Sequence, residues 1–472
     1  MQTECRREKL EFQASGTRQV VGEFNGGVMT TDGGALLLRE VEAQSKIIEQ
    51  FAACFTDHRD PSRIEHSQEE LLAQRIFGLA LGYEDLNDHD QLRRDPLLAT
   101  VVGKSDPLGE ERRRAMDRGH ALAGKSTLNR MELRSDQPEM DGRYKKIAVS
   151  EEAVDEFFIN VFVQAQKEAP RELILDLDAT DDPLHGRQEG RFFHGYYGSY
   201  CYLPLYVFCE DFLLSARLRT ADKQPAAWAL PEIERIVGGL RARWPKVKIL
   251  VRGDSGFARE DIMSWCEGQG VDYLFGLARN NRLESMLSEK MAQARELYEA
   301  TGRAARVFGE LRYQTLESWS RERRVVGKAE HLAKGANPRF VVTSLGQDEC
   351  DARTLYEDLY CARGEMENRI KEQQLALFAD RTSTHYLKSN QLRLWLSSVA
   401  YLLMNELRRV GLAETEMAEA QCDTIRLKLL KIGAQIQVSS RRVLARLASS
   451  YPFQDLFLIV YHRLRGLEPL RC

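Results

Sequence analysis

An α/β fold divided among several domains is predicted for this chain, and three observations predict it. Short apolar strands that end in acidic residues alternate with amphipathic helices through the middle of the sequence. The stretches before and after that region read mainly as helices. The length, 472 residues, exceeds what one hydrophobic core ordinarily organises, so two to four domains are expected. A composition of 43% hydrophobic and 29% charged residues is that of a globular chain. No run of about 20 apolar residues is present to span a bilayer. The most apolar stretch, Leu394 to Met404, is broken by Ser397 and Ser398 and reads as a buried helix. Met1 to Phe12 carries charges without an apolar segment, so no secretory signal is expected. Nine cysteines without a C-x-x-C pair point to free thiols in a reducing cytoplasm, not to a disulfide framework or a zinc site.

Residues 1–165 are expected to be mainly helical. Thr30 to Gly34 is a turn signal ahead of the apolar run at Ala35, and Ser67-Gln68-Glu69-Glu70 is a capping box before Leu71 to Leu81. At Glu172 the period changes. Leu173 to Leu177 reads as a strand, and Phe192 to Leu203 with Leu205 to Leu218 as an antiparallel pair. A helix from Trp228 to Leu240 precedes a strand from Val247 to Val251. Another helix (Arg259 to Glu267) and strand (Val271 to Leu277) follow. Three strands, helix, strand, helix, strand is the order of a ribonuclease H-like core, whose first part is assigned to residues 166–280. Residues 281–345 are basic and β-rich and read as an insertion. Residues 346–400 return to the core with a long helix from about Ala352 to Phe378. Residues 401–472 form a mostly helical, basic C-terminal region with one strand near Ile425 to Ile436.

Three acidic positions stand out. Asp176 and Asp178 lie on one side of their strand, because side chains alternate with period two. Asp254 follows an apolar strand at its carboxyl end, where open α/β sheets place ligand groups. Glu367 falls in a polar stripe with Tyr360, Arg363, Lys371 and Gln374, spaced to share one helix face. An apolar face beside it (Leu355, Leu359, Met366, Ile370, Leu377) suits packing on the sheet. Taken singly, an Asp at a strand end usually caps a turn. Three carboxylates converging from separate elements are what two hard cations about 4 Å apart require, and such a pair stabilises both oxygens of a phosphodiester displacement.

The motifs around these acids carry a family resemblance. Leu173 to Thr180, His185 to Gly190 and Gly195 to Pro204 resemble the bacterial insertion-sequence-1380 family of DDE transposases. Arg252-Gly253-Asp254-Ser255-Gly256-Phe257 is similar to that family's second acidic motif, and Arg363 to Asn368 to its third. The likeness extends from about Thr30 to Leu429-Leu430-Lys431-Ile432-Gly433-Ala434. It implies catalytic acids Asp178, Asp254 and Glu367 holding two Mg²⁺ ions, with Mn²⁺ able to substitute. Tyr360 and Arg363 match the wider superfamily's signature on the third-acid helix, whereas Gln374 stands at its lysine position and Lys371 lies one turn earlier. A threonine-containing turn after the first acid favours Asp178, with Asp176 and Thr180 in supporting places.

A nucleic-acid partner fits the charge distribution. The net charge is −4, yet residues 381–472 hold 14 basic against 7 acidic residues, and residues 301–340 hold 9 against 4. DNA contacts are accordingly expected from Tyr360, Arg363, Lys371, Arg323, Arg324, Lys431, Arg441 and Arg442. Trp319 or Phe340 is a candidate to stack on an unpaired base, although a core role is favoured for both. The implied partner is double-stranded DNA, both the element's terminal inverted repeats and the target, bound by a homodimer in a bacterial cytoplasm without membrane association. Residues 1–165 are expected to recognise the ends. Two rivals stand beside this. A haloacid-dehalogenase-like phosphohydrolase would use Asp176 as nucleophile and Asp178 as acid, and a noncatalytic DNA-binding protein would need only the basic patches.

Overall fold

The computed structural model describes residues 9–134 and 145–466 and divides them into two compact units. One is built from residues 1–148 and 399–472, the other from residues 149–398. The helix Glu151–Ala165 therefore falls in the central unit, not with the N-terminal region that the sequence reading carried to residue 165. No helix among the described residues is long and apolar enough to cross a membrane.

The central unit is organised on a nine-stranded mixed sheet. Its strands are β1 (Glu172–Ala179), β2 (Leu205–Cys209), β3 (Phe212–Arg217), β4 (Lys248–Gly253), β5 (Asp272–Leu277), β6 (Ala305–Tyr313), β7 (Arg323–Leu332) and β8 (Arg339–Thr343). They run β3-β2-β1-β4-β5-β8-β7-β6, with Gly335–Ala336 paired to β7. β1, β4 and β5 are parallel to one another, and every other pairing is antiparallel. The parallel strands are near-continuous apolar runs because the sheet buries both their faces. Helices α1 (Ala229–Arg243) and α2 (Glu260–Gln269) make the crossovers between them.

Two expectations about strands are corrected. The runs 192–203 and 205–218 do not pair with each other. Phe192–His194 folds back on Ser199–Tyr202 in a separate small sheet, while β2 and β3 form their own hairpin through Glu210, whose φ is +53°. The basic strands β6 to β8 extend the main sheet, β8 pairing with β5 from Leu274↔Thr343 to Leu277↔Phe340. Residues 305–343 are thus the far half of one sheet.

The long helical run from Ala352 to Ala376 contains two wide turns with i→i+5 hydrogen bonding, Leu355–Tyr360 and Glu372–Ala376, on either side of the regular stretch Gly364–Lys371. Such turns shift the side-chain register and recur at functional sites. Leu355 and Tyr356 pack into a core with Leu250, Leu274, Val326 and Val341, and Leu359 and Tyr360 lie against it. Met366, Ile370 and Leu377 are buried as well, so the apolar face read from the sequence is the face that meets the protein interior.

The other unit joins the two ends of the chain. Met29–Thr30 pairs with the strand Ala434–Ser439, which pairs with Arg442–Leu447. Gly33 and Gly34 donate their amides to the carbonyls of Ile432 and Leu430. A Cβ at Gly34 would collide with the Leu429 carbonyl, so only glycine fits. The expected capping box is present: Ser67 Oγ accepts from Glu70 N at 3.1 Å, and the Glu70 carboxylate accepts from Ser67 N at 2.9 Å. Residues 422–430, partly read as strand, are helical; the strand begins at Ala434.

Candidate active site

Register alone sets two of the acids side by side. In the parallel pair β1–β4, Arg252 lies opposite Asp176 and Gly253 opposite Leu177. Asp178 and Asp254 are the next residues on neighbouring strands about 4.8 Å apart, at their carboxyl ends. One oxygen of Asp254 accepts from Gly256 N at 2.8 Å and caps the turn Ser255–Phe257, so turn-forming and site-forming roles coincide in one residue.

The third-acid helix closes over this pair through Arg363. Its Nη2 donates to Asp178 Oδ1 at 2.8 Å, and its Nη1 donates to a Glu367 oxygen. Burial pushes the Asp178 carboxyl up to about 6. Arg363 opposes that rise, and the charges of Asp254 and Glu367 add to it. Burial works against the Arg363 charge, yet Asp178, Glu367 and Asp254 together hold it above its ordinary range. Burial likewise raises Tyr360, with Arg363 opposing and Asp254 adding. The three acids and the signature Tyr and Arg therefore act on one another within a single site.

Among the described residues, no three His, Cys, Asp or Glu side chains stand close enough to hold one metal ion. The carboxylates are drawn to the guanidinium, which supplies the positive charge between Asp178 and Glu367. As a donor set, three carboxylates suit a hard divalent cation. Burial is the main cause of the raised Asp178, and a cation bound there would offset both that burial and the smaller push from Asp254 and Glu367.

Supporting residues are placed with equal definition. Asp176 is buried in a two-point ion pair with Arg252, Nη2 to Oδ2 being 2.7 Å, and Arg252 also donates to the Leu359 carbonyl. Both Asp176 oxygens are thus occupied, which removes the nucleophile of the phosphohydrolase reading. Thr180 is half-buried just past β1. Gln374 donates to Asp182 Oδ1 at 3.0 Å and to the Asp181 carbonyl, tying the helix to the turn after β1 where the superfamily signature has lysine. Lys371 is exposed.

Several basic residues read as DNA contacts are committed elsewhere. Arg323 is buried between Glu260 and Glu267, at 2.7 Å from each, and Arg324 is held by Glu310 at 2.7 Å. Lys431 pairs with Asp32 at 2.6 Å and lies over the Tyr83 ring. Arg441 and Arg442, at the tip of the hairpin 434–447, are exposed. Trp319 and Phe340 are buried, so neither has a face for a base; Trp319 packs edge-on against Tyr313 and under Arg323. Sequence reasoning missed Arg252 as the partner of Asp176, and it missed Gly276. A Cβ there would lie 2.5 Å from the Tyr360 hydroxyl and 2.9 Å from Ser255 N. The only hint of Gly276 was a glycine inside an apolar strand.

A mixed sheet whose neighbouring parallel strands end in acids, with a helix carrying a third, is compatible with the fold of a DDE transposase. The chain matches the family described as Transposase DDE domain group 1 over residues 12–469, and it belongs to that family. It is a DDE transposase, and membership carries transposase and nuclease activity with it. No match to the chain is found among curated proteins.

Proposed function

We propose that the chain is a transposase of the insertion-sequence-1380 type, which binds the terminal inverted repeats of its element, cuts there and joins the freed end to target DNA. One observation carries the reading. Asp178 and Asp254 occupy adjacent parallel strand ends, and Arg363 ties Asp178 to Glu367 on the helix above them. The strand order 3-2-1-4-5 over β1 to β5, with strand 2 antiparallel, supports a ribonuclease H-like core.

Asp178, Asp254 and Glu367 hold the two divalent ions in this reading. Bound there, Mg²⁺ or Mn²⁺ supplies positive charge to the attacking and leaving oxygens of the phosphodiester. Arg363, released from its two carboxylates, turns its fork of donors to the phosphate oxygens. The Tyr360 hydroxyl and the Asp254 turn both pass close to Gly276. Water first breaks a phosphodiester bond to leave a 3′-OH, and that hydroxyl then exchanges one ester bond for another in the target. Lys371, Arg441 and Arg442 supply exposed charge to the DNA backbone. End recognition is assigned to residues 1–165 with the basic segment 401–472, and a homodimer brings two ends together in the bacterial cytoplasm, at the nucleoid when DNA is bound.

The test uses the element's own terminal repeats as substrate with Mg²⁺. Asp178→Asn, Asp254→Asn and Glu367→Gln each abolish cutting while DNA is still bound. Full cleavage by all three variants refutes the assignment.

A further inference from the structure

The unit formed by the chain ends contains a concavity of about 900 Å³ that the catalytic reading does not use. Segments 58–66, 90–93, 112–122 and 124–131 enclose it together with 145–147. Nine arginines and lysines line it against four carboxylates, Asp60, Glu65, Asp90 and Asp117. Several of these charges are already spent. Arg112 pairs with Glu65 at 2.7 Å, Arg63 with Asp60 at 3.3 Å, and Asp90 with Lys125 at 3.4 Å. Arg59 is held by Asp57 at 2.6 Å. Among the described residues Arg93 and Arg114 form no close ion pair, Arg93 acting on Asp90 only at longer range.

Beneath the lining lie buried donors that no protein acceptor meets. Arg93 Nε and Arg112 Nε are buried without a hydrogen bond. His120 Nε2 accepts from Arg94 Nε at 2.9 Å, which puts the ring proton on Nδ1, and that buried atom too has no partner. Left unmet at about 1–3 kcal/mol each, these buried N–H groups put the positive ends of their dipoles beneath a lining already rich in cations. The field has the matching sign. Burial, then Lys104, Arg112 and Arg59, push His66 down to about 3, and burial, then Arg93 and Arg94, lower His120. The ligand is anionic, rich in acceptors and larger than one phosphate, since 900 Å³ lies at the upper end of the roughly 300–1,000 Å³ that enclose whole small ligands. Leu71, Leu122 and Met131 give the concavity an apolar floor.

We propose that this concavity seats the sugar–phosphate backbone of a DNA strand, with Arg93 and Arg114 donating to successive phosphates. The proposal rests on the reading that DNA is the substrate and assigns it a contact surface remote in sequence from the catalytic acids.

The experiment measures binding of the full chain, in EDTA, to an end-labelled duplex of arbitrary sequence and to its single strand, across a salt series. Each phosphate neutralised contributes about −0.9 to the slope of log affinity against log salt for duplex and about −0.7 for single strand. The double variant Arg93→Ala/Arg114→Ala is expected to bind at least ten-fold more weakly at low salt, with the slope shallower by about 2. Arg93→Lys/Arg114→Lys, which keeps the charge, is expected to retain the slope. Arg114 is exposed, so Arg114→Ala alone, with a wild-type melting temperature, gives a reading free of folding effects. An unchanged slope in that variant and in the double variant overturns the proposal. So does a site that takes pyrophosphate or a free nucleotide while DNA fails to compete. Cutting of terminal-repeat DNA by wild type and Asp178→Asn is scored in parallel. Wild-type cutting with unaltered binding by the arginine variants leaves the catalytic reading standing and this one fallen. Weakened binding together with cutting by Asp178→Asn gives the reverse.

Discussion

Gly276 shows how one missing carbon positions a site. It lies on β5 where the Tyr360 hydroxyl and the Asp254–Ser255 backbone both pass, and a Cβ would meet Ser255 N at 2.9 Å and Asp254 C at 3.2 Å. The backbone there leads directly from a strand, so the strain of Gly276→Ala falls on Asp254 itself. Overpacking of this kind costs about 1–3 kcal/mol. Cleavage is expected to fall at least ten-fold with DNA affinity unchanged, and Tyr360→Phe in the same chain to restore part of it by removing the 2.5 Å neighbour; wild-type cutting by Gly276→Ala would show that the close approach is incidental. Asp182 offers a pH-dependent counterpart. It is fully buried, takes a hydrogen bond from Gln374, and is pushed up to about 8 by burial. Its folded pKa is raised above the unfolded value of about 3.9, so its stabilising contribution is complete below pH 4 and declines until pH 8. Relative to wild type, the melting temperature of Asp182→Asn should therefore climb from pH 4 to pH 8 and level off above it. A difference that stays flat over that range would mean Asp182 titrates normally.

Arg252 does at the level of elements what Gly276 does at one position. It crosses from β4 to Asp176 on β1 and to the Leu359 carbonyl on the third-acid helix, joining three elements below the acids. Both partners are about 95% buried, and breaking a buried pair by removing one member costs about 3–5 kcal/mol because the other charge is left uncompensated. Asp176→Ala is expected to lose that much stability in urea unfolding, and Asp176→Leu/Arg252→Met to recover a large part; equal losses in the two would deny the pair its bridging role. The elements themselves were largely legible. Alternating apolar and acidic residues in β1, the strand ending at Gly253, the Ser67 capping box and the apolar face of the third-acid helix all follow local rules of spacing. Pairing was not legible, because an apolar run reads the same whether it folds on itself or joins a neighbour, and only the φ of Glu210 turns β2 back into β3. Charge misled for a related reason. Arg323 and Arg324 look like a basic patch until Glu260, Glu267 and Glu310, between 14 and 63 positions earlier in the chain, arrive to bury them. The polar stripe Tyr360, Arg363, Glu367 was visible, whereas Arg363 as the bridge to Asp178 needed the fold.

At the scale of the molecule, the chain's two ends make one unit and its middle makes another. Asp178, Asp254 and Glu367, the acids proposed to be catalytic, all lie in the middle, while the basic concavity lies in the unit made from the ends. That unit is discontinuous, so its N-terminal helices depend on residues more than 300 positions away. Thr30 pairs with Ala434, the Gly33 and Gly34 amides are met by Ile432 and Leu430, Lys431 answers the buried Asp32, and Arg426 donates to the carbonyls of Leu79 and Ala80. Leu429, Leu430, Ile432 and Ala434 are all buried there. Removing residues 422–472 strips those partners at once, leaving buried amides and one carboxylate unmet beside exposed apolar surface. Hydrogen exchange on the truncated chain should then show protection lost over Ala35–Ser45 and Gln68–Ala80 and kept over β1, β4 and β5, whose partners all lie within residues 149–398. Protection surviving in both helices would mean the N-terminal segment folds without the C-terminal one. Loss spread equally through the central strands would mean the two units unfold as one.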